Sequence, residues 1–360
     1  VYTHPRSYTT SGDYLAPTTS FEVNDWETGT FTQSFTDNDE MALKERFWLV
    51  ADKNTNHWHA NPDAGFFYED FTEYTEWTDS GGYWEVTGEE LIKSDETSTN
   101  TNQFASLVQT SDYSYLYNWK MKISGSGTTR RAGIYFFSDN PALNQRNNSY
   151  MVYLRVDDNT CQIYKSTDNN IELQTNDACN VEANTWYDMK VLFNPQSGLI
   201  VVLKYNQLVS SWTDPEPHSN GSAISLRTGA CIGYYDSFRV YRSRNENENV
   251  SLGTNEIVRY QNPDPFTPSC KIFSQVIDYG NNFSDSVIQT VNIDWTPPSL
   301  PDTVFDGGII DVDTIFGTDL FSGYWSNSSD ENSAIDYYEY ALGTSPGDTD
   351  ITGWTNLLLT

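Results

Sequence analysis

Acidic side chains are the most abundant ionisable groups in this sequence. Some retaining glycosidases carry a Glu-x-Asp-x-x-Glu motif, which places two carboxylates on one face of a strand. That spacing is absent here. The nearest clusters are Glu69-Asp70 with Glu73 and Glu76, and Glu89-Glu90 with Asp95-Glu96. Neither cluster keeps two acids in register on a strand, so we interpret both as solvated turn charges and predict no catalytic centre.

Histidine and cysteine could bind a metal ion or act as nucleophiles. His57 and His59 flank Trp58, so both side chains lie on one face of an extended segment, as a zinc pair would require. No third ligand follows at a zinc-binding spacing, and the four cysteines also lack such a spacing. The alternative for both histidines is a structural or surface role. No Gly-x-Ser-x-Gly elbow, phosphate loop or Cys-His pairing appears.

The cysteine positions instead indicate a disulfide. Cys161 and Cys179 frame the stretch CQIYKSTDNNIELQTNDAC, which has the pattern of a strand, a polar turn and a second strand. We predict a disulfide between Cys161 and Cys179, which would indicate an oxidising compartment. Cys231 and Cys270 are either a second pair or buried thiols.

Aromatic and planar polar side chains could bind a glycan if one sheet face presents them together. Tyr115, Tyr117 and Trp119 share one face of their predicted strand by the two-residue period. The adjacent pair Arg130-Arg131 follows a glycine-rich turn in a chain with few cations. We therefore predict a polar patch on the concave sheet for sugar hydroxyls or acidic sugars, formed by Tyr117, Trp119, Arg130, Arg131, Asp139, Asn140, Arg146 and Tyr150. The alternative is that the aromatic rings belong to the core and the arginines offset local acids.

Calcium is the cofactor that the sequence predicts. Asp70 lies in the first strand of the largest block of alternating strands, and Asp236 opens the last strand of that block. The first and last strands of such a block normally lie side by side, and Glu69 and Glu73 add negative charge beside Asp70. Carboxylates brought together there repel each other unless a cation offsets them. We predict a calcium ion near Asp70 and Asp236; the alternative is that each acid caps a strand or a turn.

The charge balance argues against several classes of partner. The chain has 50 acidic and 20 basic residues, and its formal net charge is −30. It could not neutralise a row of phosphates, so nucleic acid is excluded, and anionic membrane surfaces would repel it. No apolar run approaches the roughly 18 residues of a membrane span. We expect a secreted or cell-surface protein. The sequence begins abruptly at Val1-Tyr2-Thr3 and ends in the middle of a pattern at Leu357-Leu358-Leu359-Thr360, so we expect an internal or processed fragment of a longer chain.

The elements that position these residues are predicted to be strands throughout. Aromatic residues make up 15% of the chain, which favours β structure. Residues 64–245 contain about a dozen alternating strands joined by short turns, which is typical of a two-sheet jelly roll. Residues 1–16 are predicted to be a linker, and residues 298–360 a further sandwich that is too short to be complete.

The segments on either side of the jelly roll are too small to fold alone. Residues 17–63 and 246–297 each contain about three strands, which is less than a hydrophobic core requires. Together they match the size of one immunoglobulin-like sandwich, roughly 90–100 residues. We therefore predict that the two segments pair into one sandwich and that the jelly roll is inserted in one of its loops.

Several stretches resemble modules of known secreted proteins. GFFYEDF, NWKMKISGSGTTRRAGIYFFSDN, NSYMVYLRVDDNTCQIYK and DSFRVYRSR resemble a laminin-G or concanavalin-like module of large bacterial proteins of the golvesin, xanthan-lyase and N-acetylmuramoyl-alanine amidase type. RYQNPDPFTPSCKIFSQVIDYGNNFSDS and VNIDWTPPS resemble the second half of the interrupted sandwich in those proteins, and YYEYALGTSPGDTDITGW resembles the fibronectin type III-like repeat that follows. The resemblance implies that any catalytic domain lies outside this chain. It also adds weight to calcium at Asp70 and Asp236, since many lectin-like modules hold calcium at this junction.

Three hypotheses of function follow. In the first, which we expect, the chain is non-catalytic and binds polysaccharide or peptidoglycan, while its sandwiches space or present the jelly roll among other modules of the same protein. In the second, the modules form a stalk, adhesin or surface filament and bind no small ligand. In the third, the protein is an enzyme: either the chain is the accessory part of a cell-wall amidase or a polysaccharide-degrading enzyme, or its lectin-like fold holds a cryptic hydrolase site.

Overall fold

The computed structural model describes residues 15–40, 42–79, 81–96, 100–246, 250–252, 257–306, 310 and 320–358. Within these residues the regular structure is β-strand, apart from a single 3-10 turn at Pro62–Ala64. This confirms the prediction of an all-β chain. No helix in the described ranges is long and apolar enough to cross a membrane. The predicted linker at 1–16 lies outside the described residues except for Leu15 and Ala16.

In its described residues the jelly roll contains fifteen strands, joined mostly by short turns. Two of its hairpins have short turns: Asn194 pairs with Leu199, and Tyr205 and Asn206 form a two-residue turn with positive φ at both positions. The strands are β7 (Phe67–Glu69), β8 (Thr78–Asp79), β9 (Trp84–Thr87), β10 (Glu90–Lys93), β11 (Thr101–Thr110), β12 (Tyr115–Ser124), β13 (Arg131–Ser138), β14 (Ser149–Arg155), β15 (Thr160–Thr167), β16 (Asn170–Ala178), β17 (Trp186–Asn194), β18 (Leu199–Lys204), β19 (Gln207–Thr213), β20 (Asn220–Gly229) and β21 (Ile232–Ser243).

These strands form two sheets that enclose one core. One sheet has seven strands in the order β16-β15-β14-β13-β20-β11-β8, and the other contains β19-β18-β17-β12-β21 with β7, β9 and β10 attached. Rings from both sheets meet between them: Tyr117 lies 4.9 Å from Phe136, and Tyr150 lies 4.8 Å from Phe193, measured between ring centroids. Two packed sheets with this core are consistent with a concanavalin-like jelly roll.

Nine further strands flank the jelly roll on both sides in sequence. Before it lie β1 (Thr18–Ser20), β2 (Trp26–Glu27), β3 (Phe31–Gln33), β4 (Thr36–Asn38), β5 (Leu43–Asn54) and β6 (His57–Ala60), and after it lie β22 (Val250–Leu252), β23 (Cys270–Asp278) and β24 (Val287–Ile293). Strand β23 pairs with β5 along its whole length, β2 with β24, and β22 with β3. The two flanking segments therefore pair with each other, as the size argument predicts.

The flanking segments are not separated from the jelly roll. Strand β5 also pairs with β21, through Trp48 with Arg242 and Phe47 with Ser243, so that one thirteen-stranded sheet continues from the jelly roll into the flanks. A second core includes Trp48 together with Leu116, Leu192 and Tyr241, which are residues of the jelly roll. The flanks thus cover part of the outer face of this sheet. Their immunoglobulin-like character stays a prediction.

The C-terminal segment contributes two small sheets. Strands β25 (Val304–Asp306) and β26 (Gly323–Trp325) form one pair, and β27 (Tyr337–Leu342) and β28 (Thr352–Leu358) form the other. In sequence, residues 307–309 and 311–319 fall between β25 and β26, and they lie outside the described ranges. The fibronectin-like assignment of this segment stays a prediction.

A buried ion pair joins the jelly roll to both flanks. Arg244, just after β21, donates two hydrogen bonds to the carboxylate of Asp37 at 2.7 and 2.8 Å and a third to Ser274 on β23 at 3.0 Å. Thr19 on β1 also donates to Asp37. Burial alone would raise the pKa of Asp37, but the hydrogen bonds from Arg244 and Thr19 hold that pKa below its usual value.

A second buried acid ties the two flanking segments together. The carboxylate of Asp52 on β5 accepts hydrogen bonds from the backbone N–H groups of Arg259 and Tyr260. Burial raises the pKa of Asp52 from its usual 3.8 to about 6, although both backbone donors act to lower it. The folded state therefore takes up a proton on Asp52 more readily than the unfolded chain.

We expect Arg244→Ala to lower the free energy of unfolding by roughly 3 kcal/mol, because it removes the cation that binds the buried carboxylate of Asp37 through two hydrogen bonds and leaves only Arg46, at 3.4 Å. Lys120→Ala is the control: it removes the same charge from a half-exposed pair with Asp236 at 3.5 Å and should cost less than about 1 kcal/mol. Urea unfolding of both variants measures the difference. Equal, small losses would show that the Asp37–Arg244 pair does not hold the three segments together.

Asp52 should make stability depend on pH. A carboxyl group with a raised folded-state pKa stabilises fully below its unfolded pKa, near 3.8, and this contribution is lost as the pH rises through about 6. Asp52→Asn keeps an acceptor for the two backbone donors but cannot titrate. Between pH 4 and pH 7, the unfolding free energy of the wild type should therefore fall by up to about 3 kcal/mol through Asp52, and the variant should lack this fall. Urea unfolding of both proteins across this pH range measures the free energy of unfolding. If this free energy falls with pH as steeply in Asp52→Asn as in the wild type, the prediction is wrong.

Candidate functional site

The structure corrects the position of three predicted ligand-binding residues. Tyr117, Trp119 and Tyr150 point between the two sheets and are almost fully buried. Tyr150 donates a hydrogen bond to Asp214 inside this core, and burial raises the pKa of its hydroxyl. These rings cannot stack on a ligand at the surface, so the alternative interpretation, that they belong to the core, holds for all three.

The loops at the ends of β13 hold three other predicted residues in local contacts. Arg130 pairs with Asp157 at 2.8 Å, and the hydrogen bond from Arg130 helps to keep the pKa of Asp157 below its usual value. Asp139 accepts hydrogen bonds from Asn147 and Asn148. Asn140 accepts one from the backbone N–H of Ala142. For Arg130, the interpretation that arginine offsets a local acid is the one the contacts favour.

The outer face of the seven-stranded sheet carries aromatic and planar polar side chains in rows. We call this surface the outer face, and it consists of the side chains on β11, β20, β13, β14 and β15 that point away from the core. The strand register aligns them in three rows across the sheet: Gln162, Tyr153, Gly133, Arg227 and Asn102; Tyr164, Met151, Tyr135, Ser225 and Phe104; and Arg155, Arg131 and Gly229. The face therefore combines rings, amides and guanidinium groups on one surface.

Arg227 and Tyr135 form the centre of the outer face. The guanidinium carbon of Arg227 lies 5.1 Å from the centroid of the Tyr135 ring, and Arg227 donates hydrogen bonds to the Tyr135 hydroxyl and to Gln145, the latter at 2.8 Å. Arg146, predicted from the sequence, lies beside them and donates to Ser225 at 3.2 Å and to the backbone oxygen of Leu143 at 2.8 Å. Burial lowers the pKa of Arg146 to about 10, and the neighbouring charge of Arg227 also lowers it. Two like charges are thus held close together.

Arg131, which also belongs to the predicted patch, lies in the next row. Its guanidinium donates to the side-chain oxygen of Asn100 at 2.9 and 3.2 Å and to the backbone oxygen of Thr129 at 2.8 Å. The hydroxyl of Tyr153 donates to the same Asn100 oxygen. Tyr164 meets Tyr153 edge to face, with ring centroids 6.3 Å apart. Asn100, Arg131, Gln145 and Tyr164 are partly exposed and border the more deeply buried centre.

Sequence reasoning found Arg131 and Arg146 but missed the residues around them. Arg227, Tyr135, Gln145 and Asn100 are distant along the chain; Tyr135 and Arg227 are 92 positions apart. Only the strand register brings them together. One signal was present: in Ala223–Thr228 the alternation places Arg227 opposite the apolar face, in a chain with few cations.

The predicted disulfide is wrong in this structure. Cys161 and Cys179 are free, buried thiols, and burial raises the pKa of both. Cys161 lies opposite Asp177 on β16, so Cys179 is two residues beyond the position directly across from it. Cys231 and Cys270 are also free and buried, as one of the two alternatives proposed. The cysteines therefore give no support to an oxidising compartment.

The predicted calcium position lies where the jelly roll begins and ends. Strand β7 pairs with β21, as expected, with Glu69 opposite Phe238. Asp70 accepts hydrogen bonds from Thr72, and Asp236 lies 3.5 Å from the ammonium of Lys120. Nowhere in the described ranges do three or more His, Cys, Asp or Glu side chains come together as metal ligands. Calcium takes six to eight oxygens, so backbone and water would have to supply most of them. Calcium binding at Asp70 and Asp236 stays a prediction, which thermal unfolding in calcium and in chelator would test.

The two histidines contact the acids that follow β7. The Nε2 atoms of His57 and His59 lie 3.6 and 3.3 Å from the two carboxylate oxygens of Glu73, and Nδ1 of His59 lies 3.0 Å from Glu76. The hydrogen bond from His59 lowers the pKa of Glu76. Both ring nitrogens of His59 thus face carboxylates, so this cluster works as a polar contact between β6 and the loop after β7. The structural role proposed as the alternative accounts for both histidines.

Comparison with known proteins gives distant similarities of fold over about half of the chain. No protein-family model matches the chain, and no curated protein matches it. The carbohydrate-binding module CBM66 from Bacillus subtilis aligns with 46% of this chain and 94% of its own at 16% identity and a TM-score of 0.39. A Bacillus licheniformis β-glucanase aligns with 51% of this chain and 99% of its own, at 14% identity and a TM-score of 0.38. The Emp47p carbohydrate recognition domain aligns with 52% of this chain and 98% of its own, at 8% identity and a TM-score of 0.40. Matches at these identities and TM-scores leave function to be argued from the residues of this chain.

Proposed function

We propose that this chain binds carbohydrate on the outer face of its seven-stranded sheet, as a non-catalytic part of a secreted bacterial protein. The observation that carries the proposal is that the rows described above bring tyrosine, amide and guanidinium side chains onto one face, with the ring of Tyr164 and the polar groups of Arg131 partly exposed at its border. Sugar rings stack on aromatic faces, and their hydroxyls bind to planar polar groups. A soluble polysaccharide or the glycan of peptidoglycan has this chemistry.

The accessible groups at the border of the centre support direct contact with a ligand. Tyr164 offers a partly exposed ring, and Asn100, Gln145 and Arg131 offer hydrogen-bonding groups beside it. The buried centre, with Tyr135 and Arg227, fixes the position of Gln145 through two hydrogen bonds. Groups held in place by buried partners lose little conformational entropy when they bind.

The composition of the outer face also supports binding without catalysis. Glycoside hydrolysis requires a pair of carboxyl groups on either side of the scissile bond. None of the residues in the three rows is Asp or Glu. The polar groups of these rows can hold a sugar but cannot supply both the acid and the base.

We expect Tyr164→Ala to weaken binding of the full chain to its polysaccharide by roughly tenfold, because an aromatic contact contributes about 1 kcal/mol beyond its buried area. A panel of immobilised polysaccharides and peptidoglycan identifies the ligand, and isothermal titration measures the loss.

Tyr83→Ala is the matched control. Tyr83 is exposed and lies outside the seven-stranded sheet, before β9, so its removal should leave affinity unchanged. If no glycan on the panel binds, or if both variants bind as the wild type does, the outer face is not a carbohydrate site. The spacer or adhesin hypothesis would then replace the proposal.

A further inference from the structure

We infer that the glycan bound on the outer face carries an acidic group, a carboxylate or a sulfate, which Arg227 and Arg131 recognise; this inference rests on the proposed function. The ligand would therefore belong to the acidic polysaccharides. Arg227 and Arg131 both lie on the outer face, and neither makes an ion pair with an acid in the described residues.

Most arginines elsewhere in the described residues have an acid beside them. Arg244 and Arg46 pair with Asp37, and Arg130 pairs with Asp157. Acids outnumber cations by 50 to 20, so a carboxylate partner is easily supplied. Arg239 is a further arginine without an ion pair in the described residues; it lies over the rings of Tyr68 and Phe273, away from the outer face.

Arg227 is buried and makes no ion pair within the described ranges. Arg227 is 3% exposed, and its hydrogen bonds are accepted by the neutral side chains of Tyr135 and Gln145. Its Nε is buried and donates to no acceptor there. A buried charge without a counter-ion is costly, and an anion that accepted from this guanidinium would offset that cost.

Arg131 extends the positive charge toward solvent. It is partly exposed, and the acceptors of its hydrogen bonds are the neutral oxygens of Asn100 and Thr129. Arg146 adds a third guanidinium to the same face, close enough to Arg227 that its pKa is lowered. The planar, forked donors of arginine match carboxylate and sulfate oxygens. A sugar acid lying across these rows could place its anionic group against Arg131 and Arg227 while a ring contacts Tyr164.

The net charge of the chain makes this selectivity measurable. A protein with a net charge of −30 repels polyanions at long range, so non-specific adsorption of an acidic polysaccharide is unfavourable. Binding of a polyanion to this chain therefore requires a local site.

The test compares matched polymers on the full chain. Polygalacturonate is compared with its methyl-esterified form, and dextran sulfate with dextran, so that each pair differs only in the acidic group and the two pairs separate carboxylate from sulfate. We expect one acidic member to bind at least tenfold more tightly than its neutral partner. Arg227→Gln should remove most of that preference, and Arg131→Gln should reduce it about fivefold.

Arg130→Gln is the matched control. It removes the same charge from the neighbouring position, but Arg130 is already paired with Asp157, so we expect the preference to change less than twofold. Should Arg227→Gln fail to fold, Arg131→Gln still tests the inference.

The outcomes separate the inference from the proposed function. If acidic and neutral polymers bind equally and Tyr164→Ala weakens that binding, the inference of an acidic ligand is wrong but the proposed carbohydrate site is supported. If Arg130→Gln and Arg131→Gln reduce the preference for the acidic polymer equally, the inference is also wrong, because the preference would then depend on the overall charge of the chain. Binding of neither polymer in either pair, or of any other glycan, would overturn both.

Discussion

The buried ion pair between Asp37 and Arg244 is the contact on which the arrangement of this chain depends. Its partners are 207 positions apart, and the jelly roll lies between them. The pair meets Ser274 of β23, so the first flank, the end of the jelly roll and the second flank converge at one guanidinium. A jelly roll can be inserted only if its ends lie close together, and this contact, with the pairing of β5 and β21, holds them there.

That constraint also decides which surface of the jelly roll is free. Because β21 continues into β5 and β23, the flanks lie against the sheet that contains β12, β17 and β18, and residues such as Leu116, Leu192 and Leu203 are buried in the second core. The seven-stranded sheet pairs with no flanking strand in the described ranges. Its outer face is therefore the face of the jelly roll that no described flanking strand covers; the centre of this face is buried, and its border, with Arg131 and Tyr164, is partly exposed.

The sequence predicted the strands and the pairing of the flanks, but not the faces or the register. Alternation shows that Tyr117 and Trp119 share a face; it does not show which face, and in the structure that face is the core. In the same way, the spacing of Cys161 and Cys179 fits a hairpin, yet Asp177 lies opposite Cys161. Size was a better guide: two segments too small to bury a core had to combine, and they do so through β5 and β23.

The arginines of the outer face could be recognised only once the register was known. Each has an unremarkable position in sequence, since Arg131 follows Arg130 and Arg227 lies within an alternating strand. Pairing of β13 with β20 places Arg227 opposite Gly133, a residue without a side chain, and next to Tyr135. In a chain this acidic, a carboxylate at any neighbouring position of the rows would have neutralised these guanidinium groups. Its absence from all three rows keeps the positive charge on one face of a negatively charged protein, and the proposed preference for an acidic glycan rests on that charge.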